Sequence, residues 1–417
     1  MEVTYRLTCR SCGSKNLIPV FSLGNLCLCN TFVESSEEQI RIPLDLIICD
    51  VNSGGCGLLQ LRYTTPSKLL YQKYWYRSGI STMMRVHLRE LINKTINLIN
   101  IDEGDIVLDI GCNDGTMLRS CEDKNVKLVG FEPNDLYKEA EVGTTKIIHD
   151  YFNYETFKEE FGGEKAKVIT SIAMFYDLED PNKFVADIKR CLDQNGLWVI
   201  EMHYLPLMLE TNGFDAIVHE HLEYYSMGSL KNLLKMHDLE PFDVELNGMN
   251  GGSFRIYVRH KGSSLKGYED AERRLRDLEE YERGFDLNNV KTYQSFWTRI
   301  TEIKRQLGEF IEHEVKMGKK IFVYGASTKG NAALQFFGLD AKLIEGCADK
   351  NPDKCGKKTA GTLINIMSPE QALKEKPDYF LVLIWHLADE IKMQLKDYTD
   401  RGGKLIFPLP KLEVYPS

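Results

Sequence analysis

The chain has no apolar run close to the ~18 residues that a membrane span requires, so no membrane partner is expected. Its first ten residues, MEVTYRLTCR, do not have the charged-then-apolar layout of a secretory signal, and a cytoplasmic location is expected. Basic residues are not in excess: 52 Lys and Arg stand against 61 Asp and Glu, a net charge of −9. No global basic field exists to hold nucleic acid, and no nucleic-acid partner is expected. Internal repeats with a period of roughly 20–50 residues and low-complexity tracts are also missing, which excludes solenoids. What remains is ordinary for a globular protein, 43% hydrophobic and 27% charged. That excludes a disordered, collagen-like or small disulfide-stapled chain. A length of 417 residues suggests about three domains and room for a large core.

Cysteine is present and unevenly placed. Six of the eleven lie in the first 56 residues: Cys9, Cys12, Cys27, Cys29, Cys49 and Cys56. A reducing compartment argues against disulfides, so the cluster points to a metal and the scattered five to core packing. Cys9-x-x-Cys12 with Cys49 and Cys56 downstream can close a tetrahedral four-thiolate zinc site. The second pair has six residues between its members, and Gly54 and Gly55 can fold that insertion out as a loop. Cys27 and Cys29 compete as ligands. Such a site is structural, stapling a module too small to fold on its core alone.

The texture divides the chain at 1–70, 71–261 and 262–417. The first part reads as a β-rich metal module. An aromatic, polar connector, YQKYWYRSGIS, begins at Tyr71, and then comes a helical pattern over 83–100. Strand-like runs at 105–109, 126–131, 167–172 and 197–201 alternate with helical spacing, which predicts a parallel α/β sheet. Residues 262–318 are charged and helical, a solvated face. A second alternating segment runs from 320, with strands at 342–348, 379–384 and 404–407, and predicts a second Rossmann-like domain.

Four further motifs carry chemistry. In VLDIGCNDGT the strand ends at Asp109, Gly111 and Gly115 permit a tight turn against a ligand, and a helix begins. Glu132 ends the next strand about 20 residues on, where an acid accepts ribose hydroxyls. The absence of GxGxxG argues against a nicotinamide cofactor. IVHEHLEYYS places His219 and His221 two apart beside Glu220 and Tyr224; Glu223 breaks HExxH and excludes a zincin. A histidine near neutral pKa beside a carboxylate makes a good general base. NGMNGGSFR, with Asn250, Gly251 and Arg255, is a Gly-rich turn entering a strand that can cradle a phosphate. VYGASTKGN places Ser327, Thr328, Lys329 and Asn331 at a helix start, an anion site without P-loop spacing.

LDIGCNDG resembles motif I of class I methyltransferases that use S-adenosylmethionine. With CGLLQL, YWYRSGIS, HEHLEYYS, NGGSFR, YGASTKGN and ADKNPDKCGK in this order, the whole chain resembles the NDP-4-keto-6-deoxysugar 3-C-methyltransferases. That resemblance implies an N-terminal zinc domain, a central S-adenosylmethionine domain and a C-terminal Rossmann-like domain. It implies an enzyme of deoxysugar biosynthesis whose partner is a nucleotide-linked keto sugar, dTDP or another NDP. Cofactor contacts fall on Asp109, Gly111, Asn113, Asp114, Gly115, Glu132, Tyr76 and Ser78. The base maps to His221 with Glu220 beside it; Tyr224 and Tyr76 join the catalytic set. The sugar diphosphate is expected near Asn250, Gly251, Arg255 and Ser327 to Asn331.

Two positions depart from the family pattern. Val218 stands where a tyrosine often precedes the glutamate by two residues. Asp177 or Tyr176 stands where a histidine often comes after the fourth strand. Both leave the sugar and the position methylated open, and Tyr224 or Tyr176 are the candidates to substitute. An O-methyltransferase on a related sugar is the nearest alternative. A zinc-ribbon RNA methyltransferase is disfavoured by the acidic charge and by the lack of an Asn/Asp-Pro-Pro-Tyr/Phe turn.

Overall fold

The structure, a computed structural model, describes residues 3–35, 39–71, 74–122 and 125–416; Gln72 and Lys73 of the connector lie outside the described residues. Seven strands make the central sheet: β1 (Ile106–Ile110), β2 (Lys127–Phe131), β3 (Lys146–Ile148), β4 (Ala166–Ile172), β5 (Leu192–His203), β6 (Leu239–Asn247) and β7 (Ser253–His260). Their spatial order is β6-β7-β5-β4-β1-β2-β3. The first five are parallel, and β7 runs antiparallel to both β5 and β6. All five residues of β1 are buried, which is why IVLDI is a continuous apolar run with a single acid. The strand order reverses between β1 and β4, so their carboxyl ends open a crevice for a ligand.

The N-terminal module is a small antiparallel sheet of Leu17–Cys27, Arg41–Cys49 and Leu59–Leu61. Its fourth strand comes from far along the chain. Glu223 pairs with Gln60 and Tyr224 with Leu59, so the HEHLEYYS segment leaves the central domain to complete the sheet of the metal module. The module also grips the C-terminal domain. Phe32–Val33 pairs with Lys358–Thr359, and the Gln335 side chain bonds both the N–H and the carbonyl of Cys27 at 2.7 and 3.1 Å.

The C-terminal sheet has six strands, and the order of its first five in space is Ile366–Met367, Gly346–Ala348, Ile321–Tyr324, Tyr379–Val382, Lys404–Phe407. These five are parallel, giving the second Rossmann-like unit that the alternation predicts. The charged helical stretch splits in two. Ala271–Phe285 packs on the central domain, where Arg274 donates to both oxygens of buried Asp243 at 2.9 and 2.7 Å. Val290–Lys316 belongs to the C-terminal core. Its Tyr293, Phe296, Ile300, Ile303, Leu307 and Ile311 recur at three- and four-residue steps and are buried, leaving the charges on the solvated face.

Candidate active site and metal centre

The metal centre is built by two turns. The ligand sulfurs of Cys9, Cys12, Cys49 and Cys56 all lie within 4.8 Å of one another. Cys9 to Cys56 and Cys12 to Cys49 are 3.5 Å apart, far beyond an S–S bond. Four sulfurs at the usual ~2.3 Å from zinc have tetrahedral edges of about 3.8 Å, so the set fits the ion. The long insertion folds out as a loop. Asp50 accepts from Asn52 N at 3.0 Å, and Gly54 is left-handed. A Cβ on Gly55 would meet Cys49 Sγ at 2.5 Å. Gln60 Nε2 donates to Cys9 Sγ at 3.2 Å and Cys56 N to Cys49 Sγ at 3.4 Å, N–H groups that steady thiolates. Cys27 and Cys29 are outside the cluster; Cys29 is buried against Val218 and Ala332.

The cofactor turn joins β1 to a short helix. Gly111, Asn113 and Gly115 all have positive φ, at 71, 55 and 74°. At Gly115 a Cβ would lie 2.8 Å from Ala140 Cα, so only glycine closes the turn. Glu132, at the end of β2, accepts Asn113 N at 2.7 Å and Asn134 N at 3.2 Å. Asp109 accepts Thr170 Oγ1 at 2.8 Å. Burial pushes both carboxyls up to about 7. A left-handed backbone cradle with a buried acid beyond it fits S-adenosylmethionine.

The connector is a strap across this turn. Asn113 Oδ1 accepts Ser78 N at 2.9 Å, its Nδ2 donates to Tyr76 O at 3.1 Å, and Asp114 Oδ2 accepts Gly79 N at 2.8 Å. The side chains of Asn113 and Asp114 are therefore committed to holding the strap, while Tyr76 stays 47% exposed. Arg77 ties the strap to both larger domains, reaching Glu139 at 3.2 Å and Asp353 at 2.9 Å.

The two histidines of the HEH segment face different ways. His219 is 2% exposed, and its Nε2 lies 3.0 Å from Ile42 O of the metal module. His221 lies where the central domain meets the C-terminal domain, with Tyr176 and His203 beside it and the Lys329 charge nearby. Its Nδ1 lies 2.7 Å from Ala216 O, a partner that can only accept, so Nδ1 carries the proton and Nε2 is bare. Desolvation, then the Lys329 charge, hold it down at about 3, so the imidazole is neutral at pH 7. Tyr176 packs 4.3 Å from it and His203 5.6 Å, centre to centre. A neutral, oriented imidazole with a free nitrogen can take a proton.

Around His221, Glu220 is 7% exposed with Oε1 unpartnered, and burial pushes it up to about 7. Tyr224 donates its hydroxyl to the carbonyl of His221 at 3.1 Å, fixing the loop. Val218 is fully buried and presents no group to the cleft. Asp177 Oδ1 has no partner, and burial with the nearby Glu220 charge drives its carboxyl well up.

The expected diphosphate residues converge only in part: Lys329 meets Asn250, while Arg255 and Asn331 are engaged elsewhere. Arg255 is drawn into a buried network, its Nε on Glu201 Oε2 at 2.8 Å and Glu245 3.6 Å away. Asn331 is fully buried and donates to Cys29 O at 2.7 Å, pointing at the metal module. Ser327 caps the helix Thr328–Phe337 by accepting Gly330 N at 2.9 Å. Asn250 has φ 56° and Gly251 φ 92°, and a Cβ on Gly251 would touch the Trp385 ring at 3.0 Å. Lys329 crosses the cleft instead, donating to Asn250 O at 2.7 Å. Sequence reasoning missed His203, Asp215, Trp385 and His386. His203 ends β5, and its place at the carboxyl end of a central strand was the available signal. Trp385 donates to Asp215 at 2.9 Å across the domain interface, a contact no local pattern announces.

Known families cover nearly the whole chain in three pieces. Residues 9–71 match a zinc binding domain, 84–244 a methyltransferase domain and 248–410 the C-methyltransferase C-terminal domain. The C-methyltransferase NovU of Streptomyces niveus is 29% identical over 411 residues, 97% of this chain and 96% of its own. A tRNA U34 carboxymethyltransferase of Campylobacter jejuni is 30% identical over 105 residues, 24% of this chain and 35% of its own. Among solved structures, the plantazolicin methyltransferase BpumL in complex with SAH covers 42% of this chain and 84% of its own, at 13% identity and a TM-score of 0.35. With the four-cysteine centre, the left-handed turn and the three matching domains in one order, the chain is an S-adenosylmethionine-dependent C-methyltransferase with a four-cysteine zinc site, similar over its length to NovU.

Proposed function

We propose that the enzyme methylates carbon, at C3, of a nucleotide-diphosphate-linked 4-keto-deoxysugar. The observation that carries this reading is the state of His221: neutral, held at Nδ1 by Ala216 O, and bare at Nε2 in the interdomain cleft. Carbon methylation needs a base, because a C–H must be broken before the carbon can act as a nucleophile. His221 Nε2 removes the C3 proton, alpha to the C4 ketone, and the electron pair passes into an enolate. When bound, S-adenosylmethionine supplies the electrophilic methyl group. Asp109, the 111–115 turn and Glu132 would hold it, with the Tyr76–Ser78 main chain closing the turn. Tyr224 and the Ala216 carbonyl keep the imidazole aimed. Tyr176 packs against the ring of His221 at 4.3 Å, centre to centre. The reaction runs in the cytoplasm, as a step of deoxysugar biosynthesis.

The test incubates the enzyme and S-adenosylmethionine with a panel of NDP-4-keto-6-deoxysugars. Products are read by mass spectrometry and by the carbon shift of the new methyl in NMR. A C-methyl signal at C3 is expected. An O-methyl shift would assign an oxygen acceptor, and no methylated sugar across the panel would remove the substrate class.

A further inference from the structure

The cleft holds an ammonium that the expected phosphate role does not explain. Lys329 is the second residue of the helix Thr328–Phe337, yet its side chain leaves its own domain to reach Asn250 O at 2.7 Å. The groups around that helix start are committed elsewhere: Ser327 to its cap, Asn331 to Cys29 O and Thr31 O. Among the described residues, no ring of donors forms about a phosphate there.

Asn250 leads into β7, whose Ser253 pairs with His203, so the bond to Asn250 O places the Lys329 ammonium on the side of the histidines. It depresses His203 on β5, His221 on the HEH loop and His386 on the C-terminal domain, each after the larger effect of desolvation. Burial, partly offset by the Asp215 charge, brings Lys329 down to about 8, still largely protonated at pH 7. Asp215 is itself 2% exposed and bonded to Trp385 Nε1 at 2.9 Å. His203 and His221 lie 5.6 Å apart, centre to centre, on the same wall. A cation beside a base weakens that base in the resting enzyme. The arrangement is useful only where negative charge develops next to both.

We propose that Lys329 is the electrophilic partner of His221: its ammonium stabilises the oxyanion that forms on O4 of the keto sugar as C3 loses its proton. This rests on the keto-sugar reading above. The step balances: the C3–H pair becomes the C3–C4 π bond, the carbonyl π pair moves to O4, and the proton goes to His221 Nε2. With the O4 anion in place, its charge offsets the repulsion between the ammonium and the newly protonated imidazole. The C3–C4 π pair then forms the carbon–methyl bond while the O4 pair restores the C4 carbonyl, and the methyl–sulfur pair would stay on the sulfur of the donor, which leaves as the neutral thioether. Removing one preorganised donor to an oxyanion typically costs about 100- to 1000-fold in rate.

The experiment compares wild type, Lys329→Met and Lys329→Arg with a keto sugar that the wild type methylates. It reads kcat and KM, the Ki of free nucleoside diphosphate, and the pH profile of kcat/KM. Melting curves and S-adenosylmethionine affinity confirm that each variant is folded. For Lys329→Met, kcat falls at least ~100-fold, while the Ki of the diphosphate changes less than about 3-fold. The acid limb of the profile moves to higher pH, because the cation no longer depresses the base. Lys329→Arg keeps the charge and recovers part of kcat. A raised Ki with kcat intact would overturn the proposal and return Lys329 to diphosphate binding. An unchanged kcat would also overturn it. Failure of the wild type to act on any keto sugar would strike the substrate reading, a result distinct from either.

Discussion

The two Rossmann-like domains open with the same device and put it to different use. In the central domain, β1 ends in a glycine turn, and Glu132 after the next strand accepts Asn113 N and Asn134 N. In the C-terminal domain, Ile321–Tyr324 ends at Gly325, and Asp349 after the next strand accepts Ala326 N at 2.8 Å and Asn351 N at 2.8 Å. An acid braces a turn through two main-chain N–H groups in both. The domains part at the residues just past the turn. The central turn carries three positive-φ residues and only a four-residue helix, so backbone faces a ligand. The C-terminal turn runs into a ten-residue helix capped by a side chain and sends out one long cation. One turn is a cradle; the other is a mount. A glycine turn and a trailing acid thus define a scaffold, and the side chains at the helix start decide its chemistry.

The metal module holds these domains in register, so its loss should have the largest effect. Cys56→Ser is expected to lose the zinc and to lower Tm by roughly 10 °C or more, since a structural zinc site contributes several kcal/mol to folding. Activity should fall with it, because Glu223–Tyr224, two residues beyond His221, is a strand of that sheet. Metal analysis and a melting curve check this. Retained activity in a zinc-free protein would separate the module from the site.

The comparison of turns sharpens with paired substitutions. Glu132→Gln should weaken S-adenosylmethionine binding about 10- to 100-fold, the scale of losing a hydrogen bond to a charged acceptor. Asp349→Asn should leave that affinity unchanged and lower Tm by a few degrees. Calorimetry of both variants decides it. Equal losses of affinity would mean that the two turns share one ligand.

A smaller effect concerns Glu220. Its carboxyl ionises at 4.5 when free and about 7 in the fold, raised by burial. Between those values the folded state binds more protons than the unfolded, so this group lowers stability as pH rises from about 4.5 to 7. Glu220→Gln should therefore raise stability at pH 8, by roughly 3 kcal/mol, and leave it little changed at pH 4. Urea melts at the two pH values measure the difference.

Much of the scaffold was legible because local chemistry encodes it. CxxC with a distant pair announces a thiolate site, and Gly55 against Cys49 Sγ shows why the insertion could be longer than usual. VLDIGCNDG announces a buried strand and a left-handed turn, since few residues other than glycine and asparagine adopt φ near 70°. The cleft was less legible. Spacing could not tell His219 from His221, because their difference is set by what packs above them: Ile42 of the metal module for one, Ala216 and Tyr176 for the other. Arg255 and Asn331 read as anion ligands, yet a neighbouring strand and a neighbouring domain claimed them first. His386 and Asp215 reach the cleft only through the packing of two domains, which no periodicity carries.

The central claim is that His221 Nε2 breaks a C–H bond. The direct measurement is deuterium uptake at C3 of the keto sugar in heavy water, with S-adenosylhomocysteine in place of the methyl donor. It compares wild type, His221→Ala and His219→Gln. The wild type should exchange C3, His221→Ala should lose exchange by about 100-fold or more, and His219→Gln should keep it while melting earlier. Exchange that survives in His221→Ala, or that disappears only in His219→Gln, would contradict the account.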